Sequence, residues 1–328
     1  MATSAEVTFA QRLASNEARD RHRALKKLRK YISTRASQTG FTREELRKLW
    51  KGLHYSMWMQ DKPLLQEELA TKISQLLLAF TDPSAALTFA AAFFATEGNE
   101  WSRLDHWRMD KFMMLVREFL RTTFEVVHRA GWEATLVDQV AQLIEDEVMT
   151  PDNEEVADGL RLHLAEIYLQ ELTNVGAEDL DGDQIVCLLQ PFVSYISKSD
   201  RYSQLLTGTV IVDKVSDKIF GAMLQCVQND DEEDESPRLK YDLEAVSKAL
   251  LDSGRDKKCP QRNRAKLYKL VKRIQAVTGN VSQAKPDKTE SKAKPEDKKS
   301  NSKGKPKQTP KKAKKRKHSG TEVEDMEH

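Results

Sequence analysis

Asp179, Asp181 and Asp183 stand at alternate positions in E-D-L-D-G-D-Q-I, the spacing with which a calcium loop begins. Such a loop needs a glycine at its sixth position for the sharp turn and a glutamate at its twelfth to grip the ion. Here those positions hold Gln184 and Gln190, so calcium binding is not expected. His163 and Glu166 share a helical segment, but no second histidine follows at metal-binding spacing. Cys187, Cys226 and Cys259 lie far apart and form no Cys-x-x-Cys pair, which argues against a zinc knuckle or a disulfide framework. They read as buried or idle thiols of a reducing compartment. No phosphate-binding glycine loop, dinucleotide fingerprint or nucleophile elbow is present. These residues predict no enzyme, no cofactor, no metal and no small-molecule substrate.

The remaining chemistry is recognition. Residues 50–62, W-K-G-L-H-Y-S-M-W-M-Q-D-K, gather Trp50, Tyr55 and Trp58 with two methionines in thirteen positions. Rings of this kind can stack on bases, but their acidic surroundings point to a core or a protein interface instead. Charge is divided unevenly along the chain. Residues 1–35 carry nine Lys/Arg against three acids, whereas residues 36–254 carry twenty against thirty-nine. Residues 255–273 return to nine against one, and residues 285–317 hold fifteen against four. An acidic middle repels phosphate and basic ends attract it, so any contact with RNA is expected at the ends. Candidates are Arg262, Lys266, Lys269, Lys272 and Arg273, with a similar cluster over Arg19 to Lys30. The run K-K-A-K-K-R-K (Lys311, Lys312, Lys314, Lys315, Arg316 and Lys317) has the density of a nuclear-import signal, which would engage an import receptor.

Helices must position these groups. Leu, Ala, Glu, Lys, Gln and Arg are plentiful while Gly and Pro are few, at 13 and 10 residues, which favours an all-α body. Apolar residues recur at helical spacing from residue 6 to about 278. Thr42 and Glu45 form a capping box, and Leu46, Trp50, Leu53 and Met57 fall on one face of the helix it opens. Tyr55, Trp58 and Met59 lie elsewhere around it, so this helix is either clamped between neighbours or presents a patch. Lys62-Pro63 and Asp82-Pro83 each break one helix and open the next, the first predicted over 64–80. Gly131-Trp132 closes a long helix, and Pro191 predicts a bend or early break within 185–196. A long helix over 205–227 and two shorter ones, 243–251 and the basic one over 260–278, complete the body. The longest apolar stretch, Ala85–Ala95, is far short of the roughly 20 residues that span a bilayer, and no secretory signal opens the chain.

Helices joined by short turns predict a HEAT-like α-solenoid of antiparallel helix pairs over residues 1–278, with an acidic loop at 228–236. Residues 279–328 have almost nothing apolar to bury and predict a disordered, Lys-rich C-terminal tail.

Three blocks carry a family resemblance. They are F-A-Q-R-L-A-S-N-E-A-R-D-R-H-R-A-L-K-K-L-R-K-Y-I, L-R-K-L-W-K-G-L-H-Y-S-M-W-M-Q-D-K-P-L-L-Q-E-E-L-A and L-D-H-W-R-M-D-K-F-M-M-L-V-R. Over most of residues 8–220 the chain resembles the nucleolar ribosomal RNA processing protein 1 family. The recognisable positions are Trp50, Gly52, Tyr55, Trp58, Asp61 and Lys62, with Asp105, Trp107, Arg108 and Lys111. The resemblance implies a non-catalytic nucleolar scaffold of large-subunit precursors (pre-60S particles), required for ribosomal RNA processing. These positions, Gly52 apart, are the candidate contacts with pre-60S assembly proteins, and the basic termini the candidate contacts with precursor ribosomal RNA. The rival expectations are a direct RNA-binding α-solenoid and a HEAT-type nuclear transport adaptor.

Overall fold

The computed structural model describes residues 4–151, 153, 155–199, 206–229 and 237–279. The chain divides into two units, Met1–Ser282 and Gln283–His328. The second unit, with the Lys-rich tail and Lys311–Lys317, lies outside the described residues, as do the acids of 230–235.

Thirteen α-helices make up the described body: α1 (Ala5–Leu13), α2 (Ala18–Ala36), α3 (Arg43–Trp58), α4 (Pro63–Ser74), α5 (Pro83–Glu100), α6 (His106–Arg129), α7 (Ala134–Glu147), α8 (Asp158–Gly176), α9 (Gly182–Lys198), α10 (Leu206–Ser216), α11 (Ala222–Gln228), α12 (Leu243–Arg255) and α13 (Gln261–Val277). Their starts follow the cap chemistry. The Thr42–Glu45 capping box opens α3, Asp82 accepts from the Ser84 and Ala85 amides with Pro83 at the first turn, and Asp105 accepts from Arg108 N. Gly131, at φ +71°, follows the end of α6, where a side chain would be strained.

Helices pack chiefly on their second neighbours. One row runs α1, α3, α5, α7 and α9 and is extended by α12; the other runs α4, α6, α8 and α10. Consecutive helices touch as well, most of all in the pairs α12/α13, α1/α2 and α5/α6. The result is a two-layer α-solenoid of antiparallel helix pairs. Its core is continuous from Leu13 to Ile274. Four rings mark its centre in the first half: Trp50 lies 4.7 Å from Phe89, 4.9 Å from Phe93 and 5.1 Å from Phe119. The Trp50 indole N–H donates to the Phe89 carbonyl at 3.0 Å, so the ring is buried with its polar atom satisfied.

One expectation about helix bounds needs correction, and a second is narrowed. The helix after Pro63 ends at Ser74, and a 3-10 turn, Leu77–Ala79, takes the chain to Phe80. There is no early break at Pro191, because α9 continues through it to Lys198. Phe192, Val193, Tyr195 and Ile196 beyond it are all buried, and their packing outweighs the lost backbone bond. Between α10 and α11 the helix widens into a π turn, Asp217–Gly221.

Gly52 is where α1 crosses α3. A Cβ placed there would lie 2.6 Å from the Ala10 Cα and 3.0 Å from its carbonyl oxygen. Both are backbone atoms, so α1 as a whole would have to move. Gly52→Ala is expected to lower stability by about 1–3 kcal/mol, and Gly52→Val by more. Urea unfolding checks this, with hydrogen exchange showing the loss of protection concentrated in α1.

Candidate functional site

Two of the sequence blocks singled out above meet in space, at a corner formed by the end of α3, the start of α4 and the start of α6. Lys111 is buried, and its Nζ donates to the carbonyls of Trp58 at 2.6 Å and Gln60 at 2.8 Å. An ammonium over the last carbonyls of α3 satisfies acceptors that the helix leaves unpaired and complements its dipole. Burial pushes the Lys111 ammonium down to about 8, only partly offset by Asp61. One turn earlier on α6, Arg108 lies 4.4 Å over the Trp58 ring and is paired with Asp105. Gln66 Nε2 closes the loop by donating to Gln60 O at 2.8 Å.

Apolar side chains stand exposed around this framework. Among the described residues, the large hydrophobic side chains that stand exposed are Tyr55, Leu64, Leu65 and Trp107. Trp107 is 87 % exposed and Leu64 78 %. All four belong to the ends of helices that meet at this corner, with Asp61 and Lys62 exposed between them. A tryptophan left in water on a well-packed body is the kind of group that anchors protein interfaces.

The nine candidate contacts therefore separate by burial. Tyr55, Asp61, Lys62 and Trp107 reach the surface, while Trp58, Asp105 and Arg108 are half-buried and hold the corner together. Trp50 and Lys111 are corrections: Trp50 is 0 % exposed inside the aromatic core, and Lys111 spends its ammonium on α3. Both lie beneath the surface of the folded chain, and both help to position the residues around them. Leu64 and Leu65 escaped the sequence reading. Their signal is a Leu pair immediately after a helix-opening proline.

The basic candidates on α13 are partly neutralised. Lys266 pairs with Asp213 at 2.6 Å and Arg273 with Asp217 at 3.6 Å. Arg262, Lys269, Lys272 and Arg273 lie on exposed positions. On α2, Arg19, Arg23, Lys26, Lys27, Arg29 and Lys30 are exposed around a buried stripe of Leu25, Leu28 and Ile32.

Most of the residues that hinted at metals are otherwise engaged. Asp181 caps α9, Asp179 pairs with His128 at 3.0 Å, and Glu166 pairs with Lys218. His163 is buried and its Nε2 donates to the Met113 carbonyl at 2.9 Å; burial lowers its pKa. Among the described residues, no group of three or more His, Cys, Asp or Glu side chains could hold a metal ion. No described helix is long and apolar enough to cross a membrane.

Comparison with known proteins matches residues 4–323 to the family described as nucleolar protein, Nop52. The chain is 34 % identical over 330 residues to the human ribosomal RNA processing protein 1 homolog A, an alignment covering 84 % of the chain and 71 % of that relative. It is 36 % identical to the human homolog B over 83 % of the chain, where it spans only 43 % of the relative's length. The Caenorhabditis elegans homolog is 32 % identical, with 83 % and 68 % covered.

Proposed function

Because the chain belongs to the Nop52 family of nucleolar proteins, we propose that it acts as a non-catalytic assembly scaffold in precursors of the large ribosomal subunit. The nucleus, and within it the nucleolus, is its place of work. The observation that carries the scaffold role is the corner just described, where Tyr55, Leu64, Leu65 and Trp107 are exposed together over a framework tied by Lys111 and Arg108. The corner docks an assembly protein. The basic faces of α2 and α13 and the tail beyond add salt-sensitive contacts with precursor ribosomal RNA. The run Lys311–Lys317 serves entry into the nucleus through an import receptor. Ribosomal RNA processing, which the relatives' names carry, would then depend on this chain indirectly, through the particle it helps to hold together.

The exposed cations on α2 favour one second reading, direct RNA binding by the body itself. The two separate on Trp107. It is too exposed to matter for folding, so Trp107→Ala should change stability by less than about 0.5 kcal/mol. As a docking anchor, however, its loss should reduce co-sedimentation with large-subunit precursors about tenfold or more. Gradient sedimentation of the tagged chain from cells makes the measurement. Full retention of Trp107→Ala in the precursor fractions would remove the corner from the function.

A further inference from the structure

The row formed by α4, α6, α8 and α10, each lying along the next, is not continued by α2. That helix packs on α1 and on the 3-10 turn Leu77–Ala79, and so diverges from α4. A groove of about 430 Å³ opens between them. Each wall runs for two helical turns, Ala18–Leu25 on α2 and Leu65–Lys72 on α4, or roughly 10 Å.

The lining has two characters. Leu25, Leu65 and Leu69 give it an apolar side. Arg19, His22 and Arg23 line the α2 wall, and Lys72 the α4 wall. Among the described residues the one carboxylate in the groove is Glu68, which accepts from Lys72 at 2.5 Å and whose pKa is lowered by Lys72 and, more weakly, by His22. The Arg21 guanidinium is already bound to the carbonyls of Ser15 and Asn16. The groove thus combines leucine contacts with an excess of positive charge.

We propose that this groove takes an acidic amphipathic helix of a partner protein. A helix laid there would continue the row of α4, α6, α8 and α10, and the walls offer it about two turns of contact. An apolar stripe would cover Leu25, Leu65 and Leu69, and carboxylates would meet Arg19 and Arg23. RNA is the poorer match, because a leucine floor gives phosphate nothing to bind. The groove shares Leu65 with the corner that carries Trp107, but its basic wall on α2 lies outside that corner, and the test leaves both Leu65 and Trp107 intact.

The probe is a fluorescein-labelled helical peptide of about 14 residues, with leucines on one face and glutamates elsewhere. Anisotropy titration of the full chain, at about 0.15 M salt, should show saturable binding. The double variant Arg19→Glu/Arg23→Glu, both exposed, should weaken it about tenfold or more. So should replacing the peptide's leucines by serines, which leaves the protein and its basic tail untouched. Binding indifferent to both changes would be attraction by the basic segments alone and would overturn the proposal. Absence of saturable binding would do the same. So would an RNA oligonucleotide whose affinity falls with the α2 reversals while the peptide's does not.

Discussion

Arg161→Met is expected to cost about 3–5 kcal/mol and to lower the melting temperature by on the order of 10 °C. Arg161 is 1 % exposed, the second largest of the fully buried side chains after Trp50. Its guanidinium donates to the carbonyls of Val148 (3.1 Å), Val156 (2.9 Å), Thr150 (2.8 Å) and Asn153 (2.9 Å), and to the Asp158 carboxylate at 2.8 Å. One planar fork thereby satisfies the backbone between α7 and α8, a stretch that cannot make helical bonds of its own. Methionine keeps the apolar stem but takes this donor from four carbonyls and the Asp158 carboxylate, each buried carbonyl a desolvation cost on the scale of about 1–3 kcal/mol where water does not enter. Lysine keeps the charge but not the fork, so Arg161→Lys should recover less than half of the loss. Thermal melts followed by circular dichroism give the size of the effect, and limited proteolysis gives its place, with new cleavage expected within 148–157. A melt unchanged in Arg161→Met would mean that the linker holds itself.

Arg161 also shows where a sequence stops being legible. An arginine three residues into a helix, with Asp158 one turn before it, reads as a solvated charge pair. Nothing local distinguishes it from Arg12 or Arg129, which are ordinary surface groups. Its acceptors come from residues 148–156, and only the turn of the chain brings them round it. What could be read was set locally. The Thr42–Glu45 and Asp82-Pro83 starts followed from cap chemistry, and Trp50 fell on the face with Leu46, Leu53 and Met57 that became core. The all-helical solenoid and the nucleolar family were legible too, from helix lengths and from the tryptophan blocks. The second-neighbour rows were not, since periodicity names a buried face without naming what covers it.

The same limit applied at the candidate site. Trp50, Trp58 and Trp107 look alike in sequence, yet one is core, one is a half-buried platform for Arg108, and one stands in water. Lys111 sat in a block of charges and turned out to be a cap for another helix. Gly52 carried a signal that was available: a glycine inside an otherwise bulky helix costs stability unless something needs its missing Cβ. The backbone of Ala10 is what needs it.

Below the corner where α3, α4 and α6 meet lies a buried ion pair, and removing half of it should be about as costly as losing Arg161. His54 and Glu97 are 2 % and 0 % exposed, and the His54 Nδ1 donates to both carboxylate oxygens at 3.1 Å. The His54 ring lies against Phe112, at 4.6 Å between centroids. His54→Leu leaves a carboxylate in this apolar place without its partner, an expected cost of about 3–5 kcal/mol. The pH dependence carries a definite sign. Burial by itself lowers the His54 pKa, but Glu97, with Glu100 behind it, more than reverses this against a smaller opposing effect of Lys111, and the folded value is raised above 6.5. The folded state therefore binds the proton more tightly than the unfolded chain does. The stability this gives is complete below about pH 6.5 and is lost as pH rises through the folded value. Wild type minus His54→Leu, measured by chemical unfolding between about pH 5.5 and pH 9, should be largest at the acid end and shrink steadily toward the alkaline end. Glu97→Gln removes the anion and should abolish that slope while keeping the shape. A difference that grows with pH would mean that His54 folds neutral, and that Glu97 is held by something other than its charge.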